Sequence, residues 1–69
     1  GVEPGDCLVF EDSTSGMTAG AAAGCRVIGL PAAGQTPPAG VRVFGELFGA
    51  GGFSGLDVAD VRAAYASFR

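Results

Sequence analysis

The chain has 69 residues, 13 of them glycine, and a formal net charge of −3. Its four basic residues are all arginines and do not cluster, so we expect no nucleic-acid partner. No apolar run approaches the length needed to cross a membrane, and we expect no membrane association. A chain of this size buries only about 60% of its unfolded surface. Because its side chains are also small, we expect it to be part of a larger domain.

The first predicted element is a strand at 7–11. Four apolar residues run without alternation into the adjacent carboxylates of Glu11 and Asp12. Such a run is typical of a strand buried on both faces of a parallel sheet. Ligands bind at the carboxyl ends of parallel strands, and paired carboxylates suit a hard cation such as Mg²⁺. Glu11 and Asp12 are therefore candidate metal ligands; the structural alternative is that they only complement the dipole of the next helix.

A helix rich in alanine and glycine is predicted over 16–23, with Ser13 or Ser15 as its N-cap. Its small side chains would let the helix axis approach the sheet closely. Gly24 stands where a left-handed residue commonly ends a helix. A second apolar strand is predicted at 26–30, just before a proline. Strand, short helix and strand together predict one parallel βαβ unit with a right-handed crossover.

A loop is predicted at 31–40, because this stretch contains two adjacent prolines and two glycines. The alternating residues 41–44 predict a short edge strand, followed by a helical turn at 46–48.

The remaining residues predict a terminal helix over about 56–68. Its start is indicated by Ser54-Gly55-Leu56-Asp57, a pattern that resembles a capping box with Asp in place of Glu. One stripe of side chains recurs at helical spacing and consists of Val58, Val61, Tyr65 and Phe68. We expect this stripe to dock on the domain core, with partner binding as the alternative.

Cys7 would open the first predicted strand and Cys25 the second, and the chain contains no histidine to complete a zinc site with them. We interpret both as small buried apolar residues, with a disulfide between them as the less favoured alternative. Nothing in the sequence requires an oxidising compartment, and it shows no leader segment. We therefore expect a cytoplasmic protein, an expectation that a leader upstream of residue 1 would change.

Residues 7–30, CLVFEDSTSGMTAGAAAGCRVIGL, resemble the fourth motif of the haloacid dehalogenase (HAD) superfamily. The similarity is to β-phosphoglucomutase-like enzymes and to sugar- or polyol-phosphate phosphatases. In those families a strand ends in Glu-Asp-Ser or Glu-Asp-Ala and is followed by a glycine-containing helix start, an A-G-x-A-A-G-C/M run and a strand with V-I-G. The matching residues are Glu11-Asp12-Ser13, Gly16, Ala19-Gly20, Ala22-Ala23-Gly24-Cys25 and Val27-Ile28-Gly29.

The resemblance implies an α/β fold that is part of the Rossmann-like parallel sheet of the HAD core. Residues 1–69 would be the incomplete carboxyl-terminal part of one such domain, with no second domain. The resemblance also implies that Asp12 and Glu11 bind Mg²⁺ and that Ser13 and Gly16 support the turn. Family members transfer a phosphoryl group to a nucleophilic Asp. The implied function is that of a phosphatase or phosphomutase acting on a small phosphorylated metabolite, such as a sugar or polyol phosphate.

Two motifs of the superfamily do not occur in these 69 residues. There is no Asp-x-Asp-x-Thr and no lysine, so no catalytic residue is predicted in this chain. Both would come from the missing amino-terminal part of the domain, which is thus the expected partner. The chain alone is expected to be inactive and to bind Mg²⁺ weakly, because two carboxylates leave the ion mostly hydrated. The alternative is a non-catalytic α/β fragment or interaction module with a vestigial acid pair.

Overall fold

The computed structural model describes residues 3–49 and 52–68. A short 3-10 helix at Pro4–Asp6 leads into three strands and three helices: β1 (Leu8–Glu11), α1 (Thr14–Ala22), β2 (Arg26–Gly29), β3 (Val41–Val43), α2 (Phe44–Phe48) and α3 (Val58–Ala66). The strands form one parallel sheet in the order β1-β2-β3. The predicted α/β arrangement is thus confirmed, with one βαβ unit, a short third strand and a last helix. None of these helices has both the length and the hydropathy of a membrane span.

The two faces of the sheet are covered by different helices. Val27 is fully buried on the face where Met17 and the rest of α1 pack. Ile28, the next residue, is fully buried on the opposite face with Phe44 of α2 and Ala64 of α3. Because successive strand residues point to opposite faces, the two apolar neighbours serve two separate packing layers. This explains why the apolar residues of β1 and β2 are consecutive in the sequence rather than alternating with polar ones.

Glycines allow α1 to lie directly on the sheet. A Cβ atom at Gly20 would be 2.8 Å from Cγ2 of Val27, closer than real Cβ atoms come to their neighbours. A Cβ atom at Gly29 would overlap Sδ of Met17 and lie 2.9 Å from Cγ1 of Val41. The close approach expected from the sequence therefore depends on glycine on both the helix and the strand.

Helix α1 ends in the conformation that the sequence predicts. Gly24 has φ +88°, the left-handed conformation that suits glycine. The N–H of Gly24 donates to the carbonyl of Ala21 and the N–H of Cys25 to that of Gly20, both at 3.0 Å. This pair of bonds is a Schellman motif, which satisfies carbonyls that the helix leaves free.

Helix α3 begins at Val58 because its capping box differs from the predicted one. The Asp57 side chain accepts a hydrogen bond from the Asp60 N–H at 3.0 Å, and the Asp60 carboxylate accepts one from the Asp57 N–H at 3.1 Å. The prediction that Ser54 caps the helix and that Asp57 closes the box was wrong. Asp57 has the extended backbone of an N-cap, with φ −125° and ψ 179°, and is therefore the first residue of the box.

The predicted stripe of α3 is only partly correct. Val61, Tyr65 and Phe68 are half-buried, but Val58 is 66% exposed. The side chain of Ala64 is instead the buried one. Val58 is the first residue of the helix, so it lies at an exposed end rather than over the core.

Two arginines of the sheet hold the carboxyl end of α3. Arg26 donates to the carbonyls of Gly5 (2.7 Å) and Tyr65 (2.8 Å), and its guanidinium lies 3.9 Å from the centre of the Tyr65 ring. Arg42 donates to the carbonyl of Ser67 at 2.9 Å. The last carbonyls of a helix lack partners within the helix and attract cations. Arg26 and Arg42 therefore connect α3 to the sheet by both hydrogen bonding and charge.

Candidate functional site

The two candidate ligands lie at the carboxyl end of β1. Glu11 is still within the sheet, where it pairs with Gly29 and its carbonyl accepts a hydrogen bond from the Leu30 N–H at 2.9 Å. Asp12 is the first residue beyond the strand and is exposed, whereas Glu11 is half-buried. Both carboxylates are therefore at the edge of the sheet where α/β proteins bind ligands.

The carboxylate of Glu11 is fixed by the turn that follows it. Its Oε1 accepts hydrogen bonds from the N–H of Asp12 at 3.2 Å, the N–H of Ser13 at 3.3 Å and the hydroxyl of Ser13 at 3.1 Å. The backbone N–H of Ser13 contributes most, and its hydroxyl next, to holding the pKa of Glu11 below its ordinary value. These donors favour the charged form, so Glu11 is an ionised and oriented carboxylate at neutral pH.

Ser13 and Gly16 form the rest of this turn. The Ser13 hydroxyl oxygen accepts the Gly16 N–H at 3.0 Å, which makes Ser13, and not Ser15, the N-cap of α1. A Cβ atom at Gly16 would overlap Cγ and Cδ of Glu11 and lie 2.6 Å from its Oε2. The Glu11 side chain can fold against the start of α1 only because residue 16 has no side chain.

The arrangement gives the two carboxylates different surroundings. Asp12 is exposed to solvent, whereas one oxygen of Glu11 is already bound by the turn. Within residues 3–49 and 52–68, no group of three or more His, Cys, Asp or Glu side chains is placed to hold a metal ion. The hard oxygen donors suit Mg²⁺, but they form only part of a coordination sphere, to be completed by water, phosphate or groups from elsewhere.

Gln35 is a residue near the site that the sequence did not single out. Its Nε2 donates to the hydroxyl of Thr14 at 2.9 Å, and its Oε1 accepts from the N–H of Ala32 at 3.0 Å. These bonds fix the loop after β2 against the first turn of α1. A single glutamine in a loop of prolines and glycines carries no local signal for this contact, which joins residues 21 positions apart in the chain.

A groove of about 310 Å³ lies at the same edge of the sheet, over the ends of β2 and β3. It is lined by glycines and apolar side chains, among them Leu30, Pro31 and Phe44, and by no charged residue among those described. A larger groove of about 490 Å³ lies on the face covered by α3, between Phe10, Phe53 and Val61. The groove at the ends of β2 and β3 therefore adds no charged side chain to this edge of the sheet. The acidic side chains at the end of β1 are those of Glu11 and Asp12.

We compared the chain with protein-family models, with curated proteins and with solved structures, and none of them matches it.

Proposed function

We propose that this chain supplies the magnesium-binding acids of a HAD-like phosphatase or phosphomutase that acts on a small phosphorylated metabolite, such as a sugar or polyol phosphate. The observation that carries the proposal is the position of Asp12 and Glu11 at the carboxyl end of β1, where the chain leaves the parallel sheet and turns into α1. These residues belong to the segment 7–30 that resembles the fourth motif of the superfamily.

The two acids have different roles in this proposal. Asp12 is the direct ligand, because it is exposed and lies beyond the end of the strand. Glu11 orients the turn through Oε1 and adds a second negative charge beside the ion. Ser13 supports both roles, since it caps α1 and donates to Glu11.

A bound Mg²⁺ would neutralise charge on the phosphoryl group and orient it for displacement. The residues of this chain keep two carboxyl groups at one edge of the sheet, and the hydrogen bonds that Glu11 accepts favour the charged form of its carboxylate there. The nucleophile and the lysine that the superfamily uses would come from a segment outside these 69 residues.

Metal binding can be tested on this chain without any activity, with Mn²⁺ as a paramagnetic substitute for Mg²⁺. We expect substoichiometric Mn²⁺ to broaden the backbone amide signals of residues 12–16 in an NMR spectrum of the ¹⁵N-labelled chain. Excess Mg²⁺ should reverse the broadening, and Asp12→Asn should abolish it. Asp6→Asn is the matched control, because Asp6 is an exposed aspartate before the amino end of the same strand. Broadening that persists in Asp12→Asn would refute the ligand assignment.

Catalysis can be tested by complementation. The chain is combined with an amino-terminal HAD segment that contains Asp-x-Asp-x-Thr and the lysine, and phosphate release from sugar and polyol phosphates is measured. We expect activity with the wild-type chain and with Asp6→Asn, and none with Asp12→Asn. Activity that survives in Asp12→Asn would contradict the role of Asp12. Selective Mn²⁺ binding without activity in any combination would favour the alternative of a non-catalytic module.

A further inference from the structure

The parallel register that builds the βαβ unit also places the two cysteines side by side. Leu8 pairs with Arg26, and the Arg26 N–H donates to the carbonyl of Cys7 at 2.8 Å. Cys7 and Cys25 each lie one residue before this pair, so they occupy neighbouring positions at the amino ends of β1 and β2. Adjacent strands are about 4.8 Å apart. This separation lies within the range of about 4.4–6.8 Å that disulfide-linked Cα atoms span.

The side chains of the two cysteines belong to the same face of the sheet. Cys7 is two residues before Val9 and Cys25 two residues before Val27, and Val9 pairs with Val27. Because side chains alternate along a strand, continuing both strands by one residue places the two cysteine side chains on the face that α1 covers. Both are free and only half-buried, so the expectation that they are simply buried apolar residues is only partly met. The Cys7 thiol donates weakly to the carbonyl of Glu3 at 3.6 Å, a contact that rotation about one bond releases.

We propose that Cys7 and Cys25 form a redox-active dithiol that closes reversibly to a disulfide when it meets a small disulfide oxidant such as oxidised glutathione. One thiolate attacks oxidised glutathione, forms a mixed disulfide and releases one glutathione thiolate. The second cysteine thiolate then attacks the protein sulfur of that mixed disulfide and releases the second glutathione. The two cysteine sulfurs are oxidised, glutathione takes up the two electrons, and the two cysteine protons end on two glutathione thiols.

The position of the pair makes the closure reversible. A disulfide brings its Cβ atoms to about 3.8 Å, closer than the spacing of two strands, so the chain must move slightly at these positions. Both cysteines precede the first residues of their strands, so this movement falls at the edge of the sheet rather than within it. Exposed or strained disulfides are the ones that cellular thiols reduce most readily. The dithiol also lies at the amino ends of the strands, at the opposite edge from Glu11 and Asp12.

The test is a titration of the folded chain in buffers of oxidised and reduced glutathione. Free thiols are trapped with N-ethylmaleimide and each species is identified by intact mass. We expect the wild-type chain to convert to a monomer that has lost two hydrogens and reacts with no N-ethylmaleimide. Added reduced glutathione should restore both thiols. Repeating the titration in strong denaturant should lower the intramolecular disulfide fraction at least several-fold, because the sheet no longer holds the cysteines together.

Single variants supply the controls. Cys7→Ser and Cys25→Ser should give only the mixed disulfide with glutathione, and circular dichroism should show that both variants remain folded. If the folded wild-type chain accumulates two mixed disulfides or remains a dithiol in the most oxidising buffer, the proposal is overturned. A disulfide fraction unchanged by denaturant would also overturn it, since the register of the sheet would then contribute nothing.

Discussion

Replacing Ser13 by alanine should destabilise the chain by about 1 kcal/mol, whereas the same replacement of Ser15 should not. The Ser13 hydroxyl accepts the Gly16 N–H at 3.0 Å and donates to Glu11 at 3.1 Å. Loss of such an N-cap costs about 0.5–2 kcal/mol. Ser15 is an exposed residue in the first turn of α1, where alanine is the better helix former. The two variants therefore distinguish between Ser13 and Ser15, the two N-cap residues that the sequence allows.

The effect is large for a chain of this size. At about 0.05–0.15 kcal/mol per residue, 69 residues have a free energy of unfolding of about 3–10 kcal/mol. A loss of about 1 kcal/mol lowers the melting temperature of a small domain by about 4–8 °C. Thermal and urea denaturation followed by circular dichroism measure both quantities. Ser13→Thr, which keeps a hydroxyl group at the cap, should recover most of the loss.

A Ser15→Ala variant destabilised as much as Ser13→Ala, or a Ser13→Ala variant with an unchanged melting temperature, would contradict the assignment of Ser13 as the N-cap. A double-mutant cycle with Glu11→Gln examines the hydrogen bond between the two side chains. If that bond contributes to stability, the two substitutions together should cost less than the sum of their separate effects.

Three further substitutions or conditions test the packing and the charges. Gly29→Ala should lower the free energy of unfolding by about 1–3 kcal/mol, because the added methyl group overlaps Sδ of Met17 in a fully buried layer; urea denaturation measures this. Arg26→Ala should lower the free energy of unfolding by about 1–2 kcal/mol, because the Arg26 guanidinium donates to two backbone carbonyls. It should also speed amide hydrogen exchange in α3. Acid should remove the stabilisation due to Glu11, whose pKa in the folded chain is below its ordinary value. That stabilisation is complete above the unfolded-state pKa and is lost as the pH falls through the folded-state pKa, so urea midpoints of wild type and Glu11→Gln should converge in acid.

Each of these predictions has a matched control. Gly45→Ala adds a methyl group in open space and should leave stability unchanged or slightly higher. Arg62→Ala removes an exposed arginine from α3 itself and should leave hydrogen exchange there unchanged. Glu46→Gln, an exposed glutamate in α2, should leave the acid dependence intact. If Gly29→Ala and Gly45→Ala behave alike, Met17 does not limit the space at residue 29. If Glu46→Gln alters the pH dependence as much as Glu11→Gln does, the lowered pKa of Glu11 is not its source.

The βαβ unit was predictable because its signals are local. The apolar run before Glu11 predicted a strand at 7–11, and the structure has one at Leu8–Glu11. The predicted end of the first helix at Gly24 is confirmed by a left-handed glycine, since few other residues adopt that conformation without strain. The strand predicted at 26–30 is present at Arg26–Gly29.

The candidate site was predictable only in outline. The sequence places Glu11 and Asp12 together at the end of a strand, because they are adjacent and follow an apolar run. It does not show that Glu11 folds back onto Ser13, since that contact requires the space left by Gly16. The metal-ligand and phosphatase assignments stay predictions.

Local pattern determined the order and type of the elements, because hydrophobic period, glycine and capping residues act over a few positions of the chain. Tertiary structure decided which residues meet. Only the docking of α3 shows that Arg26 and Arg42 hold its last carbonyls, and only strand register places Cys7 beside Cys25. These contacts join residues that are 18 to 39 positions apart, and their geometry depends on how the sheet and helices pack. A sequence pattern extends over only a few positions, so it does not show which of these distant residues come into contact.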